Sequence, residues 1–173
     1  DAGAPDDEGN PATKLDITLA TGNTPTLFDN AAADQRAVAA QRAALSLLTF
    51  QCFSPGGRIG VVRWNGKDTP GKGASNHAPC VPSSMVHTLL VCDSVLETVR
   101  LNLLTHEIIA DVPPGRLGVP IWEKFPKGAD DREAVENVTS TYLGRLVPLA
   151  RCVRLRPDGT SLLLANGLDF PSF

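Results

Sequence analysis

The sequence predicts a mixed α/β fold of the α+β class, with at least three helices, several short strands and a C-terminal hairpin. Three stretches have the apolar spacing of helices, and short β-prone segments separated by turn formers lie between and after them. The chain has 173 residues, of which 42% are hydrophobic and 20% charged, as in a globular protein with one ordinary core. One domain is therefore expected.

The N-terminal segment is expected to contribute little to that core. Its first residues, DAGAPDDEGNP, are rich in Pro, Gly and acids, which predicts a disordered end or a severed acidic loop over residues 1–13. Order is expected to begin near Lys14, so that residues 14–173 form a partial α/β domain. The alternating segment LDITLA at 15–20 predicts a short half-buried strand.

The first two helices are predicted from composition and capping signals. Residues 33–50 are rich in Ala and Leu, with Val38, Leu45 and Leu48 on or near one face. Ser94 begins the second helix with Glu97 placed for a capping box, and that helix should run to about Ile109. Its apolar positions, which predict a largely buried helix, are Leu96, Val99, Leu101, Leu103, Leu104 and Ile108.

A third helix and the strands complete the prediction. The helix should span residues 131–147, with Val135, Val138, Tyr142 and Leu146 along one face. Residues 58–64 and 85–93 have the length of strands. Around Pro157-Asp158-Gly159, two β-prone arms indicate a hairpin.

Residues 63–79 contain no periodic pattern, and we expect one long exposed basic loop there. Irregular loops of this length are uncommon in compact domains and are often functional. Contact with nucleic acid is predicted for Arg63, Asn65, Lys67, Lys72 and Asn76. The lysines could neutralise phosphates and the asparagines could bond base edges or sugars, but composition alone fits a plain surface loop equally well.

Charge is unevenly distributed along the chain. The net charge is −3, yet residues 1–34 hold seven acids against one lysine, which leaves fifteen basic and twelve acidic residues in the remainder. From Tyr142 to Arg156 there is no acid, and the segment carries Arg145, Arg151, Arg154 and Arg156. These arginines could contact nucleic acid or an acidic partner, although a solvated surface is the more common role.

Signals for catalysis and metal binding are weak. The four cysteines are widely spaced, with no Cys-x-x-Cys pair, which predicts reduced thiols and no metal. The three histidines form no HExxH motif. No cofactor is expected. Every apolar run is too short to cross a membrane, and a cytoplasmic location is expected by default.

The order of several motifs resembles the CasA family, the large subunit of type I-E CRISPR (Cascade) surveillance complexes. The similar segments run from about residue 15 to 173, namely TGNTPTLFDN, AALSLLTFQCFSPGG, NHAPC, ETVRLNLL, VPIWE, TYLGRLVPLARCVRL and NGLDFPSF. No single segment is highly specific, but their shared order is. Trp122 of VPIWE is assigned to packing.

This resemblance implies a non-catalytic subunit of an RNA-guided antiviral ribonucleoprotein, and a chain that is part of a larger N-terminal domain. Such a subunit binds the protospacer-adjacent motif (PAM) and target duplex and helps recruit the helicase-nuclease. The implied partners are double-stranded DNA, guide RNA, other Cascade subunits and that effector. Residues 63–79 resemble the family's mobile DNA-contacting loop. The zinc-binding cysteine cluster of some members is not reproduced.

Two alternatives from other classes remain open at the level of sequence. An orphan hydrolase could use Cys80 as nucleophile with His77 as base, three residues earlier. A Gly-rich loop is a poor place for so rigid a pair. A scaffold domain that binds only protein is the second alternative, and it would show neither hydrolysis nor salt-sensitive DNA binding.

Overall fold

The computed structural model describes residues 9–16, 37–53, 59–64, 67–68, 88–112 and 115–171. For Arg63 and Trp64 it describes the backbone alone. In these ranges the α-helices are α1 (Ala40–Phe53), α2 (Val95–Asn102), α3 (His106–Asp111), α4 (Arg132–Ser140) and α5 (Tyr142–Leu146). The strands are β1 (Asn10–Pro11), β2 (Arg63–Trp64), β3 (Lys67–Asp68), β4 (Arg151–Leu155) and β5 (Ser161–Asn166). The mixed α/β class is confirmed.

An antiparallel sheet of order β1-β5-β4 lies at the centre of the described structure. The predicted hairpin is confirmed, because β4 pairs with β5 in a register that sets Arg151 opposite Asn166 and Leu155 opposite Leu162. Gly159 adopts a φ of +68° in the turn, a conformation that glycine tolerates well. Side chains alternate between faces along each strand, so the hairpin can serve two separate cores.

One face of the sheet packs against α1. Phe50 of the helix and Leu15 of a short 3-10 helix (Ala12–Leu15) form a buried cluster with Leu162 and Leu164. Ala43, partly buried Leu47 and Phe50 follow helical spacing, which identifies the buried stripe. The predicted face was wrong. Leu45 and Leu48 lie on the other side and are exposed.

The second face of the sheet packs against α4 and the C-terminal tail. Val138 and Leu168 are fully buried there, in a cluster with Ile121, Leu149, Ala150 and Phe170. Cys152 of β4 is partly buried against the same cluster. Strand alternation therefore places Val153 against the core beside α1 and its neighbour Cys152 against the core beside α4.

The predicted second helix is two helices, and its predicted burial is wrong. Ser94 caps α2 as expected, because its hydroxyl accepts the N–H of Glu97 and donates to the Glu97 carboxylate. Leu103 leaves the helical conformation, and Thr105 then caps α3 by accepting the N–H of Ile108. No residue of α2 is buried. Its predicted apolar stripe, Leu96, Val99 and Leu103, is between 48% and 59% exposed.

The predicted third helix also divides, at Thr141. This residue has an extended backbone, its hydroxyl donates to the carbonyl of Asn137, and the same hydroxyl accepts the N–H of Gly144. It therefore ends the hydrogen bonding of α4 and caps α5. Val138 is buried as expected, whereas Leu146 is exposed.

Several predicted local features differ in the structure. Residues 59–62 and 88–92 are not strands, Leu15 ends a 3-10 helix, and Trp122 is 58% exposed rather than packed. Strand β1 pairs with β5 ahead of Lys14, where order was expected to begin. Residues 1–8 and 17–36 lie outside the described residues. The division into residues 1–13 and 14–173 stays a prediction.

The cap of α4 predicts a pH-dependent contribution to stability. The Asp131 carboxylate accepts the backbone N–H groups of Lys127 and Ala134 at 3.0 and 3.2 Å, and these bonds hold its pKa below the ordinary value. A carboxyl group with a depressed folded pKa stabilises the fold above its unfolded pKa, about 3.9, and loses that contribution as the pH falls through the folded pKa.

Asp131→Asn can keep the cap on Ala134, since Asn is a comparable N-cap residue, but it removes the charge and its single amide oxygen cannot also accept the N–H of Lys127. We expect wild type to exceed this variant in unfolding free energy by no more than about 1 kcal/mol at pH 7, because the carboxylate is exposed. The difference should shrink between pH 5 and pH 2. Urea unfolding at these pH values checks this, and a difference independent of pH would contradict it.

Among the helices that the structure describes, none is both long and apolar enough to cross a membrane.

Candidate nucleic-acid interface

The start of the predicted basic loop is a small hairpin. Strand β2 pairs antiparallel with β3, with Arg63 opposite Asp68 and Trp64 opposite Lys67. The expectation of an irregular loop beginning at Arg63 was therefore wrong for its first residues. Two residues separate the strands, so the pairing brings Lys67 back beside Trp64 within one tight turn.

Lys67 lies against a group of three acids near the start of α4, the acidic corner, which consists of Asp130, Asp131 and Asp169. Its ammonium group is 3.3 Å from a carboxylate oxygen of Asp130, and both side chains are mostly exposed. Partial burial, together with the nearby charge of Asp130, raises the pKa of Asp169. This contact joins the hairpin at residues 63–68 to the body of the domain.

The other residues predicted to contact nucleic acid in this loop cannot be placed. Asn65, Lys72 and Asn76 lie outside the described residues, and the side chain of Arg63 does too. Lys67 is thus the one predicted loop contact with a described side chain. The assignment of all five residues to DNA contact stays a prediction.

The four arginines of the 145–156 segment occupy different environments. Arg151 is 4% exposed, and its guanidinium donates to Asn166. Arg145 donates from two nitrogens to the carbonyl of Thr139. Arg154 and Arg156 are exposed, and strand alternation turns Arg154 away from the face that carries Arg151. Of these four arginines, Arg151 is buried, while Arg145, Arg154 and Arg156 are exposed.

A buried polar cluster joins three of the motifs noted in the sequence. The amide of Gln51, from FQCF, accepts the backbone N–H of Arg151 at 3.1 Å and donates to the carbonyl of the same residue. Arg151 belongs to ARCVRL, and its partner Asn166 to NGLDF. Gln51 is 3% and Asn166 1% exposed. The side chain of Gln51 therefore supplies β4 with the bonds that a neighbouring strand would make.

Sequence reasoning missed this cluster, although a signal was present. Each of the three residues is a polar group inside an apolar run, which indicates a buried side chain with hydrogen-bond partners. Burial and the charge of Arg151 also lower the pKa of Lys14, whose ammonium donates to Asn10 at 2.8 Å. The cluster holds α1 on the sheet, and its contacts are structural.

The described cysteines are thiols. Cys52, Cys92 and Cys152 form no disulfide and are partly buried, and the Sγ of Cys52 donates to the carbonyl of Leu146. Burial raises the pKa of Cys152 to about 11, so this thiol is neutral and a poor nucleophile at pH 7. The residues of the alternative hydrolase, Cys80 and His77, lie outside the described residues. Among the residues that the structure describes, no three His, Cys, Asp or Glu side chains are grouped to hold a metal.

Comparison with protein families gives a match over nearly the whole chain. The model of the CRISPR-associated protein Cse1 family matches residues 1–172. Among curated proteins, the CRISPR-associated protein CasA/Cse1 of Thermus thermophilus is 36% identical over 124 residues. No solved structure matches the chain.

The match covers the two proteins unequally. It spans 68% of this chain but 22% of the Thermus thermophilus relative. The matched region therefore corresponds to less than a quarter of that relative.

Proposed function

Because the chain belongs to the Cse1 (CasA) family of CRISPR-associated proteins, we propose that it serves as a DNA-recognition part of a Cascade surveillance complex. In this role it contacts the PAM and target duplex, helps recruit the helicase-nuclease, and performs no catalysis itself. Its partners are double-stranded DNA, guide RNA and the other subunits, in the cytoplasm. The family match over residues 1–172 is the observation that carries the proposal.

In RNA-guided complexes most sequence specificity comes from base pairing with the guide, while the protein reads a short adjacent motif and the shape of the duplex. Contacts to phosphates set position and strengthen binding without reading sequence. We assign such contacts to Lys67 and Lys72, and hydrogen bonds to bases or sugars to Asn65 and Asn76. The exposed ammonium group of Lys67, on a tight hairpin, supports this assignment.

Arg63 is included in the loop contact because it precedes these residues in the same basic segment. A second, weaker contact is assigned to Arg154 and Arg156, whose exposed side chains lie near the end of the β4-β5 hairpin. Arg151 is left out of this second contact because it is buried, and Arg145 because it lies on α5 and not on the hairpin.

The decisive experiment is reconstitution. We expect the natural full-length protein to restore duplex binding to a guide-loaded complex that lacks its large subunit. Lys67→Ala combined with Lys72→Ala should weaken this binding on the order of tenfold at 0.1 M salt. If each lysine neutralises one phosphate, the double variant should also make the dependence of log affinity on log salt concentration shallower by about 1.8.

A charge-matched control is Arg42→Ala combined with Arg100→Ala, which removes two exposed cations that lie on α1 and α2. Its effect on affinity should be clearly smaller. Restoration of binding that is equally strong in all variants would keep the family role but move the DNA contact elsewhere. Failure of the natural protein to restore binding would contradict the proposed function.

A further inference from the structure

We propose that Asp130 competes with DNA for Lys67, so that the ion pair between them sets the affinity of the loop contact. The inference rests on the proposed function, because it concerns the regulation of that same contact. In the described structure the ammonium group of Lys67 is already bound to a carboxylate of the domain. A phosphate can bind this group only by replacing that carboxylate or sharing the ammonium with it.

The geometry makes the pair a tether between distant parts of the chain. Lys67 and Asp130 are separated by 63 positions, and their charged atoms are 3.3 Å apart. Lys67 pairs with Trp64 in the β2-β3 ladder, so its contact with Asp130 also helps to position the hairpin. Breaking the ion pair therefore removes a contact between the hairpin and the rest of the domain.

The ion pair between Lys67 and Asp130 is weak enough for a DNA phosphate to replace the carboxylate. The side chains of Lys67 and Asp130 are 76% and 70% exposed, and ion pairs so exposed are weak because water and salt screen them. DNA offers many phosphates at high local density, so it can displace a single carboxylate.

Release of Lys67 carries a further cost at the acidic corner. Partial burial and the nearby charge of Asp130 raise the pKa of Asp169, and Asp131 stays anionic because backbone N–H groups bond its carboxylate. Without Lys67, the repulsion between Asp130 and Asp169 is less compensated. The repulsion between these acids therefore favours the arrangement in which Lys67 stays paired with Asp130.

The test is Asp130→Asn in the natural full-length protein within the guide-loaded complex. Duplex affinity at 0.1 M salt should rise about two- to fivefold, because the competing carboxylate is lost. Glu136→Gln is the matched control, since it also removes one acid from an exposed ion pair, here with Arg116. It changes the net charge equally but does not touch the hairpin, so its gain should be smaller.

A double variant isolates the pair. In a Lys67→Ala background, Asp130→Asn should give no more than the gain of Glu136→Gln. Equal gains from the two acid variants in the wild-type background would overturn the proposal. A full gain from Asp130→Asn without Lys67 would overturn it as well.

A measurement without DNA separates this inference from the proposed function. Asp130→Asn should speed amide hydrogen exchange in residues 63–68, whereas Glu136→Gln should not. Unchanged exchange would overturn the tether. If no variant binds duplex, the proposed function fails and the competition with it, while faster exchange would still support the tether.

Discussion

Replacing Gln51 by alanine is expected to lower the free energy of unfolding by about 2 to 5 kcal/mol. The substitution removes both hydrogen bonds that the amide makes to the backbone of Arg151. It leaves a buried N–H and a buried carbonyl without this partner and opens a cavity between α1 and β4. Each unsatisfied group costs about 1 to 3 kcal/mol.

Gln41→Ala is the matched control, because it removes the same side chain from an exposed position of the same helix. Urea unfolding should give a change within about 0.5 kcal/mol for this variant. Gln51→Met refills most of the space without replacing the bonds, and we expect at least about 1 kcal/mol of the loss to remain. Full recovery in Gln51→Met would show that the cavity, and not the hydrogen bonding, accounts for the loss.

Gly167→Ala is expected to destabilise the fold by about 2 to 4 kcal/mol. A Cβ at this position would overlap the carbonyl oxygen of Leu149 and lie 2.6 Å from the carbonyl carbon of Ala150. Both neighbours are backbone, so relief requires the strand and the C-terminal tail to separate. Leu149 also accepts the N–H of Leu168, and that bond would be strained by the separation.

The control for this prediction is Gly60→Ala, where a Cβ has no neighbour within 4 Å. That variant should be neutral or slightly more stable, because alanine narrows the unfolded ensemble. Thermal and urea unfolding of both variants provide the measurement. Equal stability of the two variants would contradict the proposed close approach of the chain at Gly167.

Gln51 and Gly167 also show what two residues of the sequence motifs do in the fold. Gln51 and Gly167 lie in FQCF and NGLDF, which supported the family resemblance in the sequence. Both motifs meet the segment around Arg151, in the interior and far along the chain from one another. In this chain Gln51 and Gly167 therefore serve packing, while the proposed DNA contact depends on other residues.

Local signals sufficed for part of the fold. The cap at Ser94 and the hairpin around Gly159 were predicted because caps and tight turns depend on neighbouring residues. The helix ends that lie inside the second and third predicted helices were not predicted. Thr105 and Thr141 cap new helices where periodicity alone predicted continuous ones, since a threonine can either stay in a helix or interrupt it.

The candidate site was predicted only as a list of residue types. Composition could select Lys67 and the arginines, but it could not tell buried Arg151 from exposed Arg154, three residues later. The difference follows from which face of β4 meets α1, and that depends on the pairing of β4 with β5.

The sequence by itself determined the family, the α+β class, the cap at Ser94 and the C-terminal hairpin, because these depend on motif order and on short-range chemistry. Tertiary structure alone decided which apolar stripe of α1 is buried, that α2 is exposed, and that Lys67 meets Asp130. Each of these is a contact between segments distant in the chain. Such contacts depend on how the whole core packs, and local spacing does not specify that packing.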